Sequence, residues 1–138
     1  MGRRLEMKAI DILFAGLGGM AGALLRYLIS MAGDQIWSFA FPLPTLLINL
    51  AGCYILGWLN GFVFKHVSST VQAALGAGMI GAMTTFSTVS VDVVQLILNG
   101  HVWTGAADFL LSGTGGLLCA AAGYHSGCVR EDRRQVRS

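Results

Sequence analysis

The chain has 138 residues, of which 54% are hydrophobic and only 12% charged, with a formal net charge of +2. A soluble domain carries about 25% charged residues, so this composition excludes an ordinary globular domain and points to a polytopic membrane protein. So small a net charge gives no ground for nucleic-acid binding, and the mean hydropathy of +0.65 suits a chain that lives in lipid.

In chain order, Met1 to Lys8 is basic and precedes an apolar run, the pattern of a signal peptide. Three more apolar spans follow, so a retained membrane helix is expected instead. Four spans are long enough to cross a bilayer core of about 30 Å: residues 10–31, 43–64, 71–98 and 102–124, joined by short connections and followed by a polar tail, 125–138. The expectation is one all-α membrane domain of four transmembrane helices. The 19 glycines fit it, because glycine lets membrane helices approach closely. Gly18 and Gly22, Gly19 and Ala23, Gly57 and Gly61, and Gly78 and Ala82 have the four-residue spacing that flattens a helix face.

The third span is longer than a crossing needs. Its middle holds Gly81, Thr84, Thr85, Phe86, Ser87, Thr88 and Ser90 among apolar residues. Hydrogen-bonding groups are costly in lipid unless paired, so this cluster marks either a strong tilt or a departure from regular helix. Hydroxyls of this kind bond back to their own helix or line a path for something hydrated. A broken backbone there frees carbonyls that suit a cation such as Na⁺. Asn49, midway along the second span, is interhelical glue or a pore-lining donor. The ring edge of Phe86 carries partial positive charge and can meet an anion. Arg26 is an interfacial anchor or an attractor of anions into a vestibule.

Asp11 is expected at the inner interface, and Asp92 and Asp108 near the outer surface. His66, His101 and His125 are scattered and have no metal-ligand spacing. Cys53, Cys119 and Cys128 form no CxxC pair and are expected as free thiols. No nucleophile–base set or phosphate loop is visible, so no enzyme activity is expected. Arg3, Arg4, Lys8, Lys65, Arg130, Arg133, Arg134 and Arg137 fall on one side of a four-span topology, and the opposite loops hold no Lys or Arg. By the positive-inside rule both termini are expected in the cytoplasm, with the protein in the inner (plasma) membrane.

Three segments resemble the Fluc (CrcB) family of fluoride channels. Gly18-Gly19-Met20-Ala21-Gly22-Ala23-Leu24-Leu25-Arg26-Tyr27 is similar to the family's GGxxGAxxRY signature, Pro44 to Gly52 to its GTLxxNxxG, and Gly81 to Thr88 to its GGxTTFST. The resemblance runs from about Phe14 to Gly123. It implies an antiparallel dimer whose third helix is broken near its middle, with two narrow fluoride pores. It also implies a structural Na⁺ at the dimer centre on the backbone carbonyls of Gly81 and Thr84. Asn49, Phe86, Thr85, Ser87, Thr88 and Ser112 become pore residues, and Arg26 a vestibule or interface residue. The implied function is passive export of fluoride from the cytoplasm, reducing its toxicity.

The chain departs from the family pattern at four positions: Val89 replaces a second Phe, Ala82 a second Gly, Asp108 a Tyr and Gly116 a hydroxyl. These departures, with the one-sided charge, keep open a non-conducting subunit and one that requires a related partner of opposite orientation. A small proton-coupled drug exporter needs a carboxylate within the first helix, and Asp11 lies too near its end.

Overall fold

The computed structural model describes residues 9–137; the cations Arg3, Arg4 and Lys8 of the charge argument lie outside the described residues. Helix α1 is Ala9–Ile36 and α2 is Leu43–Gly61, followed by a 3-10 turn, Val63–Lys65. The third span begins as α3, Ser69–Gln72, widens into a π-helical stretch, Ala73–Ile80, and closes as α4, Gly81–Met83. Two extended residues separate it from α5, Phe86–Leu98, and α6 is Val102–Arg137. The described residues contain no strand, and four helical stretches are long and apolar enough to span a membrane: Ala9–Ile36, Leu43–Lys65, Ser69–Leu98 and Val102–Val136. This is a multi-pass membrane protein.

The apolar side chains are arranged for lipid. Met20, Leu117 and Trp103 stand on the outside, while the interior is a small cluster of Ile48, Leu59, Ile80 and Met83. Water-excluding burial therefore contributes little, and close packing between helix backbones must hold the bundle.

Glycines make that packing possible at two crossings. Where α1 meets the π-helical stretch, a Cβ on Gly18 would strike the Ala74 carbonyl, one on Gly22 the Met79 carbonyl, and one on Gly78 the Ala15 carbonyl. Where α2 meets α6, Gly57 and Gly123 press on the backbone of Ala120 and Tyr54, and a Cβ on Gly61 would stand 2.6 Å from the Tyr124 carbonyl. The expected pairs Gly18/Gly22 and Gly57/Gly61 lie on these crossings. Gly123 and Gly127, also four apart, supply the opposing face on α6.

Two helices outrun their predicted ends. Helix α1 passes through Gly33 and Asp34 to Ile36, with the Trp37 amide closing on the Gly33 carbonyl at 2.8 Å. Gly33 sits against Pro44, so that glycine serves contact and does not terminate the helix. The expected polar tail continues α6. At 1.5 Å per residue, its 36 residues reach about 54 Å, well beyond a bilayer core of about 30 Å. The glycine crossing extends to Gly127, and Glu131 then binds His66 at 2.7 Å. At the same end, the Thr70 hydroxyl donates to Asp11, tying α3 to the start of α1.

In the extension of α6, the hydrogen bond from His66 holds the Glu131 carboxyl below its ordinary range, with help from Gln135 and Lys65. A carboxyl lowered in the folded state contributes stability above its unfolded value, about 4.3, and loses it as pH falls through the folded value. Acidification below about pH 4 is expected to speed amide exchange in residues 125–137 while residues 102–124 stay protected. Glu131→Gln removes that pH dependence. Gly57→Val, forced against the backbone of Ala120 and Tyr124, is expected to cost about 2 kcal/mol or more in thermal unfolding of the purified protein. Gly113→Ala, which meets nothing within 4 Å, is expected to cost nothing.

Candidate functional site

The site is built around the interruption between α4 and α5. Thr84 (φ −93°, ψ 125°) and Thr85 (φ −137°, ψ 130°) are extended, so the helical ladder stops for two residues. This is consistent with the break expected of the third span. The Thr84 amide still reaches the Ile80 carbonyl at 2.9 Å, and its hydroxyl donates to the same oxygen at 3.0 Å. The Thr85 amide would bond the Gly81 carbonyl in a continuous helix. It donates instead to Asn49 Oδ1 on α2, at 3.1 Å. Thr85 then caps α5: its hydroxyl oxygen accepts from the Thr88 amide at 3.3 Å.

The diversion leaves oxygens free. Among the described residues, no backbone amide from beyond the break reaches the carbonyls of residues 81–84. In lipid such carbonyls need another partner, and their hard oxygens fit a small cation such as Na⁺. Gly81 is an exposed residue.

A tight polar crevice adjoins the break, lined by Arg26, Ser30, Thr45, Ile48, Asn49, Thr85 and Thr88. Arg26 is ten residues short of the end of α1. Its Nη1 donates to Thr88 Oγ1 at 3.0 Å, and Thr88 and Thr85 share a further hydroxyl contact. Its Nε is buried without a partner. Arg26 therefore turns inward to the break and does not reach along the lipid surface. Asn49 spends its oxygen on Thr85, so both amide hydrogens remain to donate elsewhere.

The structure brings together Asn49, Thr85, Thr88 and Arg26, with Gly81 and Thr84 adjacent in the chain. Ser87 and Phe86 point outward, Phe86 at 73% exposure, where its ring meets Phe109 of α6 edge-on at 6.4 Å. Ser112 stands apart, on α6 beside Asp108.

A family model described as "CrcB-like protein, Camphor Resistance (CrcB)" matches residues 13–124. The chain belongs to the CrcB-like family. Among curated relatives, it is 43% identical to "Fluoride-specific ion channel FluC 1" of Bacillus thuringiensis subsp. konkukian over 124 residues, covering 88% of this chain and 90% of that protein. It is 42% identical to the protein of the same name from Desulfitobacterium hafniense, over 76% of this chain and 92% of that one. It is 40% identical to "Fluoride-specific ion channel FluC 2" of Lactobacillus johnsonii, over 87% and 98%.

Val89, where the family pattern has a second Phe, is buried in this CrcB-like chain, and the ring that meets Phe86 is Phe109, itself half exposed. Asp108 is only 1% exposed, facing inward beside Asp92 and Ser112. Buried oxygens of Asp92, Asp108 and Ser112 have no hydrogen-bond partner. Thr45 links this acidic knot to the crevice, since it lines the crevice and neighbours Asp92. Sequence reading missed Thr45, Ser30 and Phe109 as site residues. A signal was present for one face: Gly105, Asp108 and Ser112 recur at helical spacing.

Asn49→Ala strands the Thr85 amide. It is expected to cost about 1–3 kcal/mol, the desolvation penalty of an unmet buried donor, measured as lowered thermal stability with faster exchange at Thr85. Ser87→Ala, at an exposed position, is expected to change neither.

Proposed function

We propose that this chain is a subunit of a fluoride channel that lets the ion leave the cytoplasm passively, reducing its toxicity. The observation that carries this reading is the Asn49 amide, oriented by the Thr85 amide so that its two hydrogens stay free at mid-membrane depth. Relatives about 40% identical along most of the chain carry the name of fluoride-specific channels.

Fluoride is small and binds its water tightly, so a path must supply donors that replace that shell. The Asn49 amide and the hydroxyls of Thr85, Thr88, Ser87 and Ser112 do so without a fixed charge that would trap the ion. The ring edge of Phe86 adds a weaker positive surface. Conduction requires binding strong enough for the ion to enter and weak enough for it to leave. Arg26, tied to Thr88, attracts anions toward the crevice.

Two thin pairs of helices do not enclose a pore, and Phe86, Ser87 and Gly81 face outward. The reading is therefore a dimer of antiparallel subunits, in which the carbonyls of Gly81 and Thr84 hold a structural Na⁺. That ion supplies positive charge between the subunits. Both termini lie in the cytoplasm in this subunit. The one-sided placement of Lys and Arg favours a second form of the reading, in which the mate is a related chain of opposite orientation. Asp11 is engaged by Thr70 at the start of α1, which offers nothing to a proton-coupled exporter.

Vesicles loaded with fluoride and bearing the purified chain, alone and with a related subunit, are expected to release the ion to a fluoride electrode. Asn49→Ala is expected to slow release about tenfold or more, the equivalent of one lost charge-assisted hydrogen bond. Sealed vesicles in both arms overturn the reading. Exchanging Na⁺ for a large organic cation is expected to shift the dimer toward single subunits on size-exclusion chromatography.

A further inference from the structure

The end of α6 that overshoots the membrane carries features that the ion path does not use. Trp58 and Phe62, on α2 and the following turn, meet at 5.7 Å with their planes tilted by 41°, and Arg130 lies over both rings, 5.9 and 5.6 Å from their centroids. These residues form one wall of an open groove of about 1370 Å³. Val129, Arg133 and Arg134 form much of the rest.

Charge in this groove is unbalanced by the fold itself. Glu131, next to Arg130 on α6, is buried and taken by His66. Among the described residues, Arg130, Arg133 and Arg134 form no ion pair with a carboxylate. Asp132 also lines the groove, so three guanidinium groups face one free carboxylate. The groove lies between the last turn of α2 and the extension of α6, with an aromatic floor of Trp58 and Phe62 and arginines further along α6. Guanidinium groups match phosphate geometrically through paired donors.

We propose that this groove binds an anionic phospholipid, its phosphate on Arg133 and Arg134 and its upper acyl chain along Trp58, Phe62 and Val129. Arg130, held by the two rings, forms the boundary between headgroup and chain. Each arginine at a membrane surface strengthens attraction to anionic lipid by about fivefold. The site is independent of ion conduction and rests only on the membrane-spanning architecture.

The test uses the full chain carrying Trp37→Phe and Trp103→Phe, which leaves Trp58 as its only tryptophan. It is reconstituted in phosphatidylcholine vesicles containing either bromine-labelled phosphatidylglycerol or bromine-labelled phosphatidylcholine. Phosphatidylglycerol is expected to half-quench Trp58 at a mole fraction about fivefold lower, or less, than phosphatidylcholine. Adding Arg133→Gln with Arg134→Gln, both at exposed positions, is expected to abolish that preference at unchanged circular-dichroism helicity. Equal quenching by the two lipids overturns the proposal, as does a preference that survives the double substitution. Loss of the preference on adding millimolar inorganic phosphate also overturns it, by revealing a site for a free anion.

Discussion

A helix that stops inside lipid must hand its orphaned amide to something other than water. Here the Thr85 amide goes to Asn49 Oδ1, and the rest of the site follows from that one bond. It withdraws the usual donor from the Gly81 carbonyl and sets Thr85 extended, so that its hydroxyl caps α5. It also fixes which end of the Asn49 side chain faces the crevice. The oxygen of Asn49 is structural glue, and under the proposed function its other end is the donor, so one amide serves through both ends.

The bundle around this bond is held by contact between backbones. Two glycine-lined crossings bring α1 against the π-helical stretch and α2 against α6, while large apolar side chains are left for the lipid. This arrangement has a functional consequence. Helices packed backbone to backbone leave little slack, so the crevice beside Asn49 is narrow and its polar groups are held in place. Under the proposed function, donors held in this way lose little freedom on receiving an ion, which favours a small one.

Much of this was legible in the sequence because lipid makes severe demands. The four spans follow from apolar length alone, and the break region announces itself as hydroxyls and glycine in a segment that has no other use for them. Less legible was where helices stop. Gly33 and Asp34 look like a helix end, yet contact with Pro44 carries α1 past them; residues 125–137 look like a solvated tail, yet Gly127 and the Glu131–His66 pair continue α6. The burial of Asp108 was not legible either, because a lone acid in an apolar span usually seeks water. The spacing of Gly105, Asp108 and Ser112 marks its face, but the partner it meets there, Asp92, comes from α5 and is not encoded locally. Arg26 similarly reads as a snorkelling anchor until Thr88, 62 residues away, is seen to receive it.

The bare carbonyls at the break bear on how such a chain survives its own synthesis. A newly inserted copy carries a Gly81 carbonyl with no backbone donor, at an exposed residue; hydrocarbon offers nothing in return, and each such group costs several kcal/mol. Under the proposed pairing, that deficit disappears only when a mate arrives. Mass action within the membrane then governs persistence: at low copy number the solitary form is the weaker one and the more open to surveillance proteases, so abundance of the mate sets the lifetime of the protein.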